Sequence, residues 1–227
     1  MKSYLSLPAR KAAAVFIDLQ EEHRHDPRYL VEDYDKVLAN AVRLQGAARR
    51  AGIPLFHFAY IVDMANGSPR PFHPADAQGK SAFSDADDEL SAICEEVAPW
   101  ETEPLFIKSA ASAFEVQEFE PELRRKGIEW LVISGVWTEA CVDATVKGAI
   151  DRGFRVLLVK DACGSGTNAM HQTGILNIAN RLYGGAVTDT DGACSLIGGA
   201  EVEVWRVQGA VPLKYRFNDA ERIYVEL

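Results

Sequence analysis

Cys141, Asp18 and Lys108 are the residues of this chain whose types can together perform covalent chemistry. Cys141 stands in Gly135-Val136-Trp137-Thr138-Glu139-Ala140-Cys141-Val142, directly after the apolar run Ile128 to Ile133. That order predicts a strand turning into a helix with a thiol in its first turn. Thr138 is a residue type suited to the N-cap, which makes Cys141 the third helical position. There the helix dipole and unpaired backbone N–H groups favour a thiolate, and a nearby Lys108 favours it further. The expectation is a thiol of lowered pKa that iodoacetamide labels quickly at neutral pH. Asp18 opposes ionisation by like charge, so its expected role is to take the thiol proton as the sulfur attacks and return it to a leaving amine. The oxyanion formed needs fixed donors, and backbone N–H groups around the turn are the natural supply.

The elements that must bring these residues together read as alternating strands and helices. Strands are predicted over Ala12 to Asp18, Ile53 to Tyr60, Pro104 to Lys108, Ile128 to Ile133, Phe154 to Lys160 and Ala186 to Thr188. Helices are predicted over Asp33 to Arg50, Pro121 to Lys126, from Cys141 to near Gly153, and Met170 to Tyr183. Near-continuous apolar strands alternating with helices imply an α/β fold: a doubly wound, mostly parallel six-stranded sheet with helices on both faces, a Rossmann-like three-layer sandwich. In such sheets ligands bind beyond the carboxyl ends of the strands at the switch point, and Asp18, Lys108 and the 135–141 turn all fall at such ends. Residues 1–200 are read as one domain. Within it the polar 61–103 segment, with one short helix near Asp85 to Val97, is a variable lid or insertion. Residues 201–227 carry Val204, Trp205, Tyr215, Phe217 and Tyr224, too apolar for a loose tail, and are expected to pack on the domain or on a neighbouring subunit, which points to a homodimer or homotetramer.

Composition narrows the partners. The chain has 227 residues, 48% hydrophobic and 25% charged, enough for a substantial core. Its net charge of -9, without a basic stripe, argues against nucleic acid and anionic membrane. The apolar runs are strand-sized and the first residues lack a leader pattern, so a cytoplasmic location is expected. Cys94, Cys141, Cys163 and Cys194 form no Cys-x-x-Cys pair, which disfavours disulfides and zinc, and Cys94, Cys163 and Cys194 read as small buried hydrophobes. His171 reads as a structural histidine, and His23 and His25 as lying near the site mouth without an assigned role.

Three stretches, Ala14-Val15-Phe16-Ile17-Asp18-Leu19-Gln20, Lys108 followed by Ser112-Ala113-Phe114, and Gly135 to Val142, give the chain a resemblance to the isochorismatase-like cysteine hydrolases, a family that includes nicotinamidases, N-carbamoylsarcosine amidohydrolases and ureidoacrylate amidohydrolases. The resemblance implies Cys141 as nucleophile, Asp18 as base and Lys108 as cationic partner. It also implies a cis peptide between Val136 and Trp137 and an oxyanion hole from the Trp137 and Cys141 N–H groups. Gln20, Phe114 and Trp137 are the expected substrate-binding residues, Trp137 narrowing the pocket to small substrates. Where the family commonly has Asp-Met-Gln-Asn-Asp-Phe, this chain has Asp18-Leu19-Gln20-Glu21-Glu22-His23 and so lacks the aromatic. Tyr60 to Ala65 lacks the Asp-x-His of metal-binding nicotinamidases, and His57 and His73 are isolated, so neither metal nor cofactor is expected. The expected activity is hydrolysis of a small amide or carbamoyl (ureido) C–N bond through a thioester.

Two other readings compete. Gly164-Ser165-Gly166-Thr167-Asn168-Ala169 fits a G-x-G-x-x-A pattern, with Asp189 further on, as in a dinucleotide-binding oxidoreductase, although it follows the fifth predicted strand rather than the first. A catalytically silent binding protein on the same fold is the other.

Overall fold

The computed structural model describes residues 1–67 and 69–227. Its centre is an eight-stranded sheet in the order β1-β8-β7-β6-β5-β2-β3-β4. These strands are β1 (Lys2–Ser6), β2 (Ala12–Ile17), β3 (Leu55–Tyr60), β4 (Leu105–Lys108), β5 (Trp130–Val136), β6 (Arg155–Gly164), β7 (Ala186–Thr188) and β8 (Glu201–Trp205). The helices are α1 (Glu22–His25), α2 (Tyr34–Ala51), α3 (Phe119–Arg125), α4 (Asp143–Asp151), α5 (Asn168–Ala179), α6 (Thr190–Ile197) and α7 (Ala220–Glu226). Strands β2 to β7 pair in parallel, whereas β8 runs antiparallel to both β7 and β1.

The sheet therefore has two more strands than the six expected. Both were hidden by composition. In β1 (KSYLS) only Leu5 is buried, and in β8 (EVEVW) only the last two residues are, so neither shows the apolar run of a central strand. Glu201–Trp205 thus belongs to the sheet, and the rest of the C-terminal segment lies against its own domain. Asn180 Nδ2 donates to Leu213 O (3.0 Å), and Leu213, Tyr215, Ile223 and Tyr224 pack on one core cluster.

Burial of the strands on both faces creates two cores. On β2, Ala12, Ala14 and Phe16 face one cluster and Ala13, Val15 and Ile17 the other. The first is covered by α2, whose Val37, Leu38, Ala41, Leu44 and Ala48 form one buried stripe. Gly52, at φ +67°, closes that helix by donating to Ala48 O and Arg49 O. The opposite core is aromatic: Phe56, Phe58, Phe106, Phe114 and Phe119 meet at ring separations of 4.8–6.3 Å.

The helix expected near Asp85 to Val97 is replaced by two short 3₁₀ turns, Glu89–Ser91 and Glu95–Val97. Between them Cys94 N donates to Leu19 O (2.9 Å), and Gln20 bridges to Ile93, which holds this stretch extended. Among the described residues no helix is long and apolar enough to cross a membrane.

Candidate active site

From β2 the chain moves outward through β3 and β4 on one side. It then returns to β5 on the other side and moves outward through β6 and β7. The gap between the carboxyl ends of β2 and β5 is the switch point, where a crevice forms. Asp18 ends β2 there. Its backbone takes φ +52°, a left-handed conformation tolerated by Asp, with its N–H on Phe58 O and its carbonyl accepting from Gln20 N. Lys108 ends β4, where alternation leaves Leu105 and Ile107 exposed and buries Lys108. Strand β3 stands between them, so the lysine stem spans about two strand spacings, roughly 10 Å. Its Nζ crosses above the Tyr60 ring (4.7 Å) and donates to Asp18 Oδ2 (2.7 Å) and Ala110 O (3.2 Å). The ion pair is sealed from water: the two side chains are 1% and 4% exposed.

Cys141 is brought to both groups from β5. β5 ends in a cis peptide bond between Val136 and Trp137, followed by a π-helical turn over Thr138–Val142 that runs into α4. Gly135 (φ +132°) makes the approach possible, since a Cβ there would stand 2.1 Å from Ile17 O. The Trp137 carbonyl accepts from Ala140 N and Val142 N, while the Trp137 N–H meets no acceptor among the described residues. Asp18 Oδ1 is likewise buried and unpartnered, because the lysine engages only Oδ2. The structure therefore brings Asp18, Lys108 and Cys141 together, with one carboxylate oxygen left open.

The expected cap at Thr138 is not formed. Trp137 occupies the N-cap position without a side-chain cap bond, and the Thr138 hydroxyl faces away, toward Gly164 O (3.0 Å) and His171 Nδ1 (2.8 Å). The expected lowering of the thiol pKa is also overturned. Burial, then the Asp18 charge, push the Cys141 thiol up to about 12 against the opposing pull of Lys108. Burial likewise raises Asp18, with Lys108 opposing, which makes its carboxylate a stronger base. Burial pulls Lys108 down, but the charge of Asp18, foremost among the opposing causes, leaves its pKa raised and the ammonium protonated.

Asp18, Trp137 and Cys141 open onto one cavity of about 380 Å³ with mostly apolar walls. Trp137 lines it, its Nε1 donating to His23 Nδ1 (3.3 Å). Two expected substrate contacts are corrected. Gln20 is fully buried outside the cavity, its amide donating to Tyr60 O (3.0 Å) and Ser91 O (2.8 Å) and accepting from Tyr60 N (2.8 Å), so it ties β3 to the 61–103 segment. Phe114 is turned into the aromatic core against Phe119 and Phe154, because the 3₁₀ turn Ala113–Glu115 points it beneath the sheet.

Sequence reasoning assigned no role to His23, Tyr60, Glu22, Arg70 and Phe83, which also line the cavity. His23 fills the position where the family's aromatic was missing, and burial lowers its pKa to about 4, so it is neutral. Glu22 accepts from Ser84 N (2.9 Å) and Ser84 Oγ (2.5 Å), which fixes Phe83 and Ser84 at the cavity wall. Two consecutive acidic residues after Gln20 were the available signal for an anchor, but its partner lies 62 positions away. A more voluminous groove, about 910 Å³, opens at the amino ends of the strands between Arg49, Trp100 and Lys126 and holds none of these groups.

Among the described residues, the one trio of side chains close enough to share a metal ion is Glu21, Cys94 and Glu96, outside the cavity. The Arg24 guanidinium already bridges both carboxylates at 2.6–3.0 Å. The dinucleotide reading also fails on geometry. A Cβ on Gly164 would strike Val31, and one on Gly166 would strike the Trp137 ring, each at 2.7 Å. The amino end of α5, where a pyrophosphate would sit, is capped by Glu32 and Thr167, and Asp189 caps α6 through Gly192 N.

Comparison with known proteins identifies the family. A family model described as the isochorismatase domain matches residues 12–192. The N-carbamoylsarcosine amidase of an Arthrobacter species is 28% identical over 170 residues, 69% of this chain and 60% of that one. The ureidoacrylate amidohydrolase RutB of Yersinia enterocolitica is 26% identical over 217 residues, 85% of this chain and 92% of that one. A solved cysteine hydrolase from Pseudomonas syringae superposes with a TM-score of 0.74 at 19% identity, covering 86% of this chain and 95% of that one, and shares the fold.

Proposed function

Because the chain belongs to the isochorismatase family and is one of its hydrolases, we propose that it cleaves a small amide or carbamoyl (ureido) C–N bond through a thioester on Cys141. The observation that carries this reading is the buried Asp18 carboxylate in contact with Cys141, one oxygen held by Lys108 and the other unpartnered. The names of the two relatives, an amidase of a carbamoyl compound and a ureido amidohydrolase, support the same reaction class.

With a thiol at about 12, a standing thiolate is scarce at neutral pH, so proton removal accompanies attack. Asp18 Oδ1 takes the thiol proton as sulfur adds to the carbonyl carbon, and Lys108 stabilises the charge around both. The tetrahedral oxyanion is held by the Trp137 N–H, which has no other acceptor, and by the Cys141 N–H. As the C–N bond breaks, Asp18 returns the proton to the departing nitrogen, releasing ammonia or an amine. Water then enters and gives a proton to Asp18 as it attacks the thioester; Asp18 passes that proton to the departing sulfur, leaving free acid, thiol and carboxylate. The cavity limits the substrate to a small molecule, and Arg70 on its wall suits one carrying a carboxylate.

The test is an ammonia-release screen over small amides, ureides and carbamoyl compounds with the wild type and Cys141→Ala. Turnover of at least one compound, abolished by the substitution, is the expected result. Turnover undiminished in Cys141→Ala overturns the mechanism.

A further inference from the structure

The C-terminal helix reaches the nucleophile turn through an unbroken line of hydrogen bonds that the catalytic scheme leaves unused. Thr138, fully buried at the start of the π-helical turn, places Oγ1 3.0 Å from Gly164 O and 2.8 Å from His171 Nδ1. His171, buried on α5, places Nε2 3.0 Å from the hydroxyl of Tyr224 on α7. Helix α5 lies so close to the turn that a Cβ on Gly174 would stand 2.9 Å from the Thr138 methyl and 3.3 Å from Glu139 N. α7 is itself fastened: Lys160 Nζ donates to Tyr224 O (3.1 Å) and lies 5.0 Å from the Tyr224 ring centre, and Ala220 and Leu227 are buried.

The hydrogens in this line have one fully satisfied arrangement. Gly164 O is a carbonyl and only accepts, so the single Thr138 hydrogen must go to it. Thr138 Oγ1 then accepts, which requires the hydrogen of the imidazole on Nδ1. Nε2 is left with a lone pair, and the Tyr224 hydroxyl donates to it. In the opposite tautomer Nε2–H points at Tyr224 and Nδ1 claims the Thr138 hydrogen, so Gly164 O loses its hydroxyl donor. Burial and the nearby Lys160 charge hold the His171 pKa near 4, so the ring is neutral and has a tautomer to choose.

We propose that Tyr224 is a positioning residue for the nucleophile. By donating to His171 Nε2 it selects the Nδ1–H tautomer, which directs the Thr138 hydroxyl onto Gly164 O and so clamps the turn carrying Cys141 against the end of β6. The inference rests on Cys141 being the nucleophile, but its structural part is independent of any substrate. It assigns the C-terminal segment a task inside the same chain: aligning the sulfur, not binding the substrate.

The experiment is ¹⁵N NMR of the full-length protein with labelled histidine, the His171 signals assigned with His171→Asn, on the wild type and Tyr224→Phe. Alkylation of Cys141 by iodoacetamide is measured on the same samples, and kcat and KM on any substrate found. The expected wild-type signal is the Nδ1–H tautomer. In Tyr224→Phe, which keeps the ring, the signals shift to a tautomer mixture, and the alkylation rate changes about fivefold or more. Where a substrate is known, kcat falls about tenfold with KM within about twofold. In a Thr138→Val background, Tyr224→Phe has no further effect on alkylation. A wild-type Nε2–H tautomer overturns the proposal, as does a Tyr224→Phe protein whose tautomer and alkylation rate are unchanged, whether or not Thr138→Val folds. If the tautomer and alkylation results hold while no amide is hydrolysed, it is the proposed reaction that fails.

Discussion

Replacing Lys108 with Met removes the site's positive charge while keeping most of its bulk. The carboxylate then loses the ammonium 2.7 Å from Oδ2 but keeps its burial, and its other oxygen already lacks a partner. Breaking one side of a buried pair costs about 3–5 kcal/mol, against about 0–1 for an exposed pair. The pH dependence has a definite sign. Burial already raises the Asp18 pKa and Lys108 opposes that rise, so in Lys108→Met it climbs further. A carboxyl whose folded pKa exceeds its unfolded value weakens the fold in full above the folded pKa, and the penalty shrinks progressively as pH falls from there toward the unfolded value. The stability deficit of Lys108→Met is therefore largest near about pH 8 and shrinks toward about pH 5. Urea unfolding across that range measures it. Asp18→Asn with Lys108→Met, which removes both charges, recovers about 1–4 kcal/mol relative to Lys108→Met. Turnover in Lys108→Met falls at least about 100-fold at neutral pH, since the positive charge that favours the Asp18 carboxylate as a proton acceptor is gone. A pH-independent loss below about 1 kcal/mol, or additive effects in the double variant, refutes the reasoning.

Other substitutions probe neighbouring parts of the account. Because burial and Asp18 hold the Cys141 thiol near 12, its iodoacetamide rate climbs with every pH unit between about 7 and 9, and a plateau near neutrality contradicts that environment. Gly135→Ala, whose Cβ would overlap the Ile17 carbonyl, loses more than about 4 kcal/mol, and soluble protein with a wild-type melting curve would contradict the contact. Gln20→Ala strands Tyr60 N, Tyr60 O and Ser91 O, so it lowers stability by about 2–5 kcal/mol in urea unfolding and leaves the residual enzyme with KM within about twofold of wild type. Arg70→Ala raises KM about tenfold for a carboxylate-bearing substrate and little for its neutral analogue, and equal effects on both would remove Arg70 from recognition.

Asp18, Lys108 and Cys141 were legible because each ends or follows an apolar strand, and a parallel sheet gathers such ends at one rim. The cores of β2 and β5 were legible for the same reason. What was missed depends on tertiary surroundings. Gln20 lies two residues past Asp18, close enough to suggest a site role, yet its amide is consumed by backbone that only the folded β3 and the Ser91 turn supply. Thr138 has the right type for a cap, but Gly164 O and His171 compete successfully for its hydroxyl. The thiol pKa was misjudged because the helix terminus and lysine are visible in sequence, whereas desolvation and the distance to Asp18 are not. Phe114 was read as a pocket residue from its type and place in the motif, whereas the ring cluster around Phe119 holds it in the core.

The central claim is that sulfur of Cys141 becomes acylated during turnover. Acid-quenched protein from a reaction in progress, mapped by mass spectrometry, tests it most directly. The expected result is an adduct on the Cys141 peptide equal to the acyl part of the substrate, removed by hydroxylamine and absent from Cys141→Ala. Sustained hydrolysis with Cys141 unmodified at every time point, and an undiminished rate in Cys141→Ala, would contradict it.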